Sequence, residues 1–221
     1  MNVLGIDTAG PVTGLALVRN HSEWLWSRRI VKGADAHLLE QLETISTQYS
    51  IDLIAVTVGP GSFTSLRVGV SIALGFALAK GIKVVPVSSL LVRASMFPHE
   101  CCLALLDARR GKVYAQCFDS TSDNLIPLSS SKDVPLQEVL PQQTFIAVGE
   151  GAIVYRDDIL AAGGFVPRDA ARSPALALAK YGVSHVDNAI EPSQISIDYI
   201  RDAAAIPPKQ LGLPVGQPAT G

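Results

Sequence analysis

The succession of hydrophobic periods constrains the fold of this chain more than any single residue does. Val3-Leu4-Gly5-Ile6-Asp7-Thr8 is a short apolar run closed by a carboxylate, and Ala9-Gly10-Pro11 turns the chain. Residues 13–19 and 23–31 read as two further strands, so the start is an antiparallel meander. From residue 35 the period changes: Leu38, Leu39, Leu42, Ile45 and Tyr49 fall on one helical face, which predicts a helix over 35–49. Residues 51–58 predict a buried strand. Residues 64–80 predict a helix apolar over much of its circumference, closed by Gly81 in the position after the last turn. Residues 82–87 predict another strand, and 90–96 a helix capped by Ser88 or Ser89 and ended by Pro98. The order β-β-β-α-β-α-β-α mixes a meander with right-handed crossovers, which implies a mixed sheet flanked by helices.

A second unit begins near Cys101. Residues 103–106 read as a strand that reaches the turn Asp107-Ala108-Arg109-Arg110-Gly111, and 112–118 return as its hairpin partner. Residues 120–131 are polar and loop-like, 136–140 a short helix, 144–148 a strand ending in Gly149-Glu150-Gly151, 174–181 a helix and 195–201 an extended segment. Beyond Arg201, Pro207, Pro208, Pro214 and Pro218 interrupt a Gly- and Ala-rich tail without periodicity. The expected division is 1–98 for a first lobe, 99–201 for a second, smaller lobe and 202–221 for a loosely ordered tail.

Composition removes several function classes. With 48% hydrophobic and 17% charged residues the chain has apolar surface enough to offset the entropy of ordering it. A net charge of −2 does not describe a general polyanion binder, and the dense basic spots, Arg28-Arg29 and Arg109-Arg110, read as solvated surface or loop clamps. The amino terminus lacks a basic stretch before an apolar core, and the longest apolar run, residues 68–79, falls short of the ~20 residues a bilayer crossing needs, so a cytoplasmic protein with no membrane contact is expected. Cys101, Cys102 and Cys117 have no metal-site spacing and are expected to be reduced and buried. His21, His37, His99 and His185 form no i, i+4 pair, so no metal site and no catalytic residue are expected.

Two stretches could carry chemistry. Asp7 and Thr8, after a strand and before a glycine-bearing turn, either place a carboxylate near phosphates and a magnesium ion or make an ordinary turn. Gly59-Pro60-Gly61-Ser62-Phe63-Thr64-Ser65-Leu66-Arg67 joins a strand to a helix whose first N–H groups can meet an anion. The glycines and hydroxyls would equally serve a sharp strand-to-helix connection. The stretch is neither a Walker A loop nor a serine-hydrolase elbow, because Gly-Lys-Ser/Thr and the second flanking glycine are missing.

Ile6-Asp7-Thr8, His37-Leu38-Leu39, the Gly59-Pro60-Gly61-Ser62-Phe63-Thr64 loop with Leu66-Arg67-Val68-Gly69, Val87-Ser88-Ser89-Leu90, Asp107-Ala108-Arg109-Arg110-Gly111-Lys112-Val113-Tyr114 and the closing Asp198-Tyr199-Ile200-Arg201 together resemble the bacterial TsaB (YeaZ) family of tRNA threonylcarbamoyladenosine biosynthesis proteins. The resemblance covers residues 1–201 in order. It implies an actin-like, sugar kinase and Hsp70 fold of two lobes, each a mixed sheet flanked by helices. It also implies a non-catalytic scaffold for a TsaD-type subunit that transfers threonylcarbamoyl to N6 of adenosine 37 in tRNAs reading codons that begin with A, with a TsaE-type ATPase as a further partner, a homodimer when alone, and tRNA met through the complex. No cofactor is held firmly by the chain itself; ATP or ADP with Mg belongs at the partner interface, and the nucleotide-like set is Asp7, Thr8, Gly59, Gly61, Ser62, Thr64 and Arg67. TsaD-like relatives carry a His-x-x-x-His pair on the first helix, where this chain has His37 and Gln41. Ser65 stands where the family has Gly, and Lys112 where it often has Glu.

The apolar faces of the two predicted helices, Leu38, Leu39, Leu42 and Ile45 on one and Gly69, Val70, Ala73, Leu74 and Ala77 on the other, exceed what one small lobe is expected to cover, which makes them the expected partner interface. The competing readings are an independent ATP-dependent phosphotransferase using Asp7 and residues 59–64, and a peptidase, for which no dyad, triad or metal pair is present.

Overall fold

The structure is a computed structural model that describes residues 1–20, 22–29, 34–122, 125–198 and 200. Tyr199, Arg201 and the tail 202–221, to which the sequence assigns the end of an extended segment and a loosely ordered stretch, lie outside the described residues.

The first sheet contains β1 Asn2–Asp7, β2 Val12–Arg19, β3 Ser22–Arg29, β4 Leu53–Gly59 and β5 Lys83–Ser88, in the spatial order β3-β2-β1-β4-β5. The meander β1-β2-β3 is antiparallel, and β4 and β5 run parallel to β1. The crossovers are α1 Ala34–Gln48 and α2 Phe63–Lys80, and α3 Ser89–Ala94 follows β5. Gly81 ends α2 at φ 65°, a left-handed conformation that glycine adopts without a Cβ penalty. Ser88 caps α3 by accepting the Leu91 N–H.

Strand β1 is covered on both faces. Leu4 and Ile6 pack with Leu38, Leu42, Ile45, Val70, Ala73 and Ala77 of α1 and α2. Val3 and Gly5 face α6 Ala175–Ser184, which lies against β1, β2 and β4. A side chain at position 5 would run into the backbone of α6 at Ala175 and Ala179, so Gly5 is there for close approach of helix to sheet.

The second sheet contains β6 Cys102–Arg109, β7 Lys112–Asp119, β8 Ile126–Pro127, β9 Lys132–Val134 and β10 Ile146–Val148, in the order β10-β6-β7-β8 with β9 also on β7. β6 pairs antiparallel with β7 and parallel with β10. Its centre strand, hairpin partner and parallel neighbour therefore repeat the connectivity of β1, β2 and β4. α4 Glu150–Val154 and α5 Arg156–Ala161 follow β10 and help enclose Leu103, Leu105, Phe145, Ala147 and Ile159. A further buried cluster joins the two sheets: Leu90 and Ala94 of α3 with Ala9 and Leu66 on one side and Cys102, Leu106, Phe118 and Val148 on the other. Cys101 faces the second core with its Sγ 3.1 Å from that of Cys117, while Cys102 points into the shared cluster. All three thiols are free.

Three expectations change. Residues 136–140 form only the single 3₁₀ turn Leu136–Glu138, and α4 and α5 had no sequence signal because each is too short to show a period. The segment 99–201 is not one lobe: α6 packs on the first sheet, Ile190 bridges to Val84, and the Asp198 N–H bonds to the Val58 carbonyl at 2.8 Å, so the chain returns to the first lobe after Arg172. The expected interface is corrected as well. Leu38, Leu42, Ile45, Gly69, Val70, Ala73 and Ala77 are buried in the first lobe's own core, with Leu38, Ala73 and Ala77 fully inaccessible. Both helices have a sheet to pack on, which absorbs the apolar stripe that looked unpartnered. What stays outside is Leu39, 50% exposed, Leu78, 66% exposed, and half-buried Leu74. By length and composition α2 would also suffice to cross a membrane; its buried stripe of Leu66, Gly69, Val70, Ala73 and Ala77 is that of a helix packed on a sheet.

Candidate functional site

The parallel strands and the β6–β7 hairpin point their ends into one cleft between the lobes, of about 730 Å³. Its walls are the turn Ala9-Gly10-Pro11, the residues Gly61 to Ser65 that lead into α2 and begin it, the end of β6 from Asp107 to Arg109 with Tyr114 beside it, and Glu150, Ile153 and Val154 of α4; Arg29 closes one side. Of the residues assigned to a nucleotide-like loop, Gly61, Ser62 and Thr64 line this space, whereas Asp7, Thr8, Gly59 and Arg67 do not.

The reasons lie in what each residue touches. Gly61 is pressed against the Ala9 backbone, which a side chain would overlap, and the Ser62 N–H donates to the Ala9 carbonyl at 2.9 Å. The loop is thus fastened to the turn after β1. Gly59, at φ 130°, is held against the Asp198 carbonyl. The Ser62 and Ser65 hydroxyls share a hydrogen bond at 3.0 Å, Thr64 is exposed, and the Arg67 guanidinium stacks 3.7 Å over the Phe63 ring outside the cleft. Thr8 is buried beneath α2, where a side chain at position 69 would collide with its hydroxyl.

Asp7 is fully buried, and its carboxylate is engaged on both oxygens. Oδ1 accepts from the Thr57 hydroxyl at 2.8 Å and from Arg93 Nη1 at 3.5 Å, and Oδ2 accepts from Arg93 Nη2 at 3.1 Å. Arg93, from α3, also donates to the Ser89 carbonyl at 2.9 Å and brings Nε to 3.7 Å from Glu150 Oε2. Burial acts to lower the Arg93 pKa, but the charges of Asp7 and Glu150 outweigh it and the net shift is upward. Burial likewise lifts Glu150 above the ordinary carboxylate range, against the opposing pull of Arg93.

Beneath the cleft, reaching its space only through Glu150, lies a closed floor of one arginine between two carboxylates, Asp7 at the end of β1 and Glu150 at the start of α4. Neither Arg93 nor Glu150 was singled out from sequence as a site residue. Arg93 did carry a signal, being the one charge on an otherwise apolar predicted helix. Glu150 had none beyond its two flanking glycines. Magnesium and a nucleotide's phosphates, which an actin-like fold leads one to expect at the β1 carboxylate, do not fit Asp7 here, because its oxygens are inaccessible and already paired. Among the described residues no three His, Cys, Asp or Glu side chains group to hold a metal. His37 contacts Arg28 and Glu40 on the surface, and His185 stacks on Tyr181.

Comparison with known proteins fits this geometry. A family profile described as TsaD, tRNA N6-adenosine threonylcarbamoyltransferase, matches residues 19–134. The TsaB protein of Bacillus subtilis (strain 168), a tRNA threonylcarbamoyladenosine biosynthesis protein, is 28% identical over 191 residues, 79% of this chain and 83% of its own. The chain belongs to this family, with TsaB (YeaZ) relatives. The Escherichia coli (strain K12) TsaB is 35% identical over 124 residues, 52% of this chain and 53% of its own. A Mycobacterium tuberculosis (strain ATCC 25618 / H37Rv) protein of unstated activity is 34% identical over 120 residues, 51% of this chain and 56% of its own, so the chain spans about half the length of some curated relatives it matches. The structure of YeaZ from Pseudomonas aeruginosa superposes with a TM-score of 0.75 at 21% identity, over 90% of this chain and 99% of that one, and shares the two-lobed fold of the TsaB family.

Proposed function

We propose that this chain is a non-catalytic scaffold subunit for the transfer of threonylcarbamoyl to N6 of adenosine 37 in tRNA, acting in the cytoplasm by pairing with a TsaD-type catalytic subunit. The observation that carries this reading is the closed floor of the cleft: in a chain with TsaB relatives, the carboxylate placed for phosphate-metal chemistry is buried and neutralised by Arg93. A TsaE-type ATPase completes the assembly, tRNA is met through the complex, and ATP or ADP with Mg is bound where the partner supplies the ligands. Alone, the chain forms a homodimer. The docking surface we assign is the outer side of α2 around Gly75 and Leu78, edged by half-buried Leu74, together with Leu39 of α1, because Leu39, Gly75 and Leu78 are exposed on these two helices. The phosphotransferase reading is disfavoured by the same floor.

The test is reconstitution of tRNA threonylcarbamoylation from purified components with and without this chain. Modification is expected only with it. Leu78→Glu is expected to leave the denaturation midpoint unchanged while co-elution with the TsaD-type subunit and the modification are both lost. Full modification without the chain, or Mg-dependent nucleotide turnover by the chain alone, would refute the proposal.

A further inference from the structure

We infer that Arg93 is a built-in cation that stands where an actin-like cleft would recruit a divalent metal, with Asp7 and Glu150 as its ligands. The inference concerns the cleft floor alone and holds whether or not the chain acts as the scaffold proposed above.

The geometry is that of a cation among oxygens. The guanidinium meets Asp7 Oδ1 at 3.5 Å and Oδ2 at 3.1 Å, Glu150 Oε2 at 3.7 Å and the Ser89 carbonyl at 2.9 Å. Hard divalent cations take the same donor types, carboxylate and carbonyl oxygen. The carboxylates come from two lobes, Asp7 from β1 and Glu150 from α4, so the position sits on the seam that a metal-bound ligand would span. Arg93 is delivered from α3, whose Leu90 and Ala94 are locked into the cluster shared by both sheets, and its side chain is 5% exposed. Its planar fork presents several donors in a fixed arrangement, which suits two carboxylates better than a lysine would. Gly10 completes the pocket: its Cα lies so near the Glu150 carboxylate that a Cβ there would sit 3.0 Å from Oε1.

If the arginine substitutes for a metal, removing it should create the metal site. Arg93→Met keeps roughly the volume and the apolar stem but leaves the Asp7 and Glu150 carboxylates without their shared cation, Asp7 keeping the Thr57 hydroxyl, a state that a divalent cation relieves. The probe is Mn²⁺ alone, titrated into the full chain and followed by its paramagnetic resonance signal and by thermal unfolding. Wild-type protein is expected not to bind Mn²⁺ at Asp7. Arg93→Met is expected to bind it at least roughly tenfold more tightly than wild type and to gain thermal stability on Mn²⁺ addition. Arg93→Lys retains a positive charge and is expected to show neither effect. If Arg93→Met does not fold in buffer, Mn²⁺ should restore its fold. Equal responses of wild type and Arg93→Met, no response of Arg93→Met, or wild-type binding that Asp7→Asn abolishes, overturns the inference. Because tRNA modification is not the readout, failure here is distinct from failure of the scaffold reading.

Discussion

The ends of β1 and β6 occupy equivalent places in two sheets of the same connectivity; β1 ends in Asp7 and β6 carries Asp107 two residues before its end, yet the two aspartates have opposite surroundings. Asp7 is fully buried and bound by Thr57 and Arg93. The Asp107 side chain is 23% exposed, accepts the Arg109 N–H at 2.9 Å and lies 3.8 Å from the exposed Arg109 guanidinium. The cause is the layer on top. β1 is sandwiched between α1 and α2 on one face and α6 on the other, so everything at its end is dry. β6 ends in a hairpin whose tip projects past its covering helices. There Arg110 and Gly111 take positive φ of 56° and 74°, as a two-residue hairpin turn requires, and Arg109 adopts 65°. One equivalent position is thus a structural ion pair and the other a solvated turn, which argues against reading the two aspartates as a matched pair of ligand-binding groups.

The sharpest way to break that contrast is to treat both ion pairs alike. Arg93→Met leaves a buried carboxylate unpaired and should cost about 3–5 kcal/mol in chemical denaturation, whereas Arg109→Met should leave the midpoint where it is, since an exposed pair contributes little. Equal losses would mean that Asp7 is not closed in solution. Next in size is Phe118→Ala, which empties the cluster shared by the two sheets. We expect a loss of about 3–5 kcal/mol with a single transition retained; two separated transitions would show that the lobes are not held as one cooperative unit.

The acidic half of the floor offers a smaller, pH-dependent test. Burial raises the Glu150 pKa, so the folded state holds this proton more tightly than the unfolded chain does. The contribution is fully present below the ordinary glutamate value of about 4.3 and is lost as pH rises through the raised value. The stability of wild type should therefore fall relative to Glu150→Gln across that window in a pH series of denaturation midpoints. No pH dependence of the difference would place Glu150 in water.

The mildest test perturbs nothing. The cysteines all lie on β6 and β7 or at their start, and burial pushes the Cys102 and Cys117 thiols up to about 12. Labelling by an aromatic disulfide near neutral pH should be at least about a hundredfold slower in the native chain than in denaturant. Phe118→Ala should accelerate it, and Arg93→Met should do so as well if the lobes open together.

Much of the first lobe could be read without coordinates. Leu38, Leu42 and Ile45 announce α1, Gly81 ends α2, Ser88-Ser89 marks the start of α3, and the meander followed by crossovers announces a mixed sheet, because each signal acts within a few residues of chain. The Gly59–Ser62 loop was legible as a special connection but not in its use: only the coordinates show that Gly61 is spent on the Ala9 backbone and Gly59 on Asp198.

Local periodicity and turn chemistry thus determined the longer elements of the first lobe, the β6–β7 hairpin and the family resemblance, since those depend on neighbours a few positions away. Tertiary structure alone decided which face of α1 and α2 is core, that α6 returns to the first sheet, and that Arg93 closes Asp7. Each of these depends on groups far apart in the chain, 86 residues in the case of Arg93 and Asp7. A sequence states how apolar a face is or what charge a residue carries. Whether that face is covered or that charge is paired depends on what the fold brings against it.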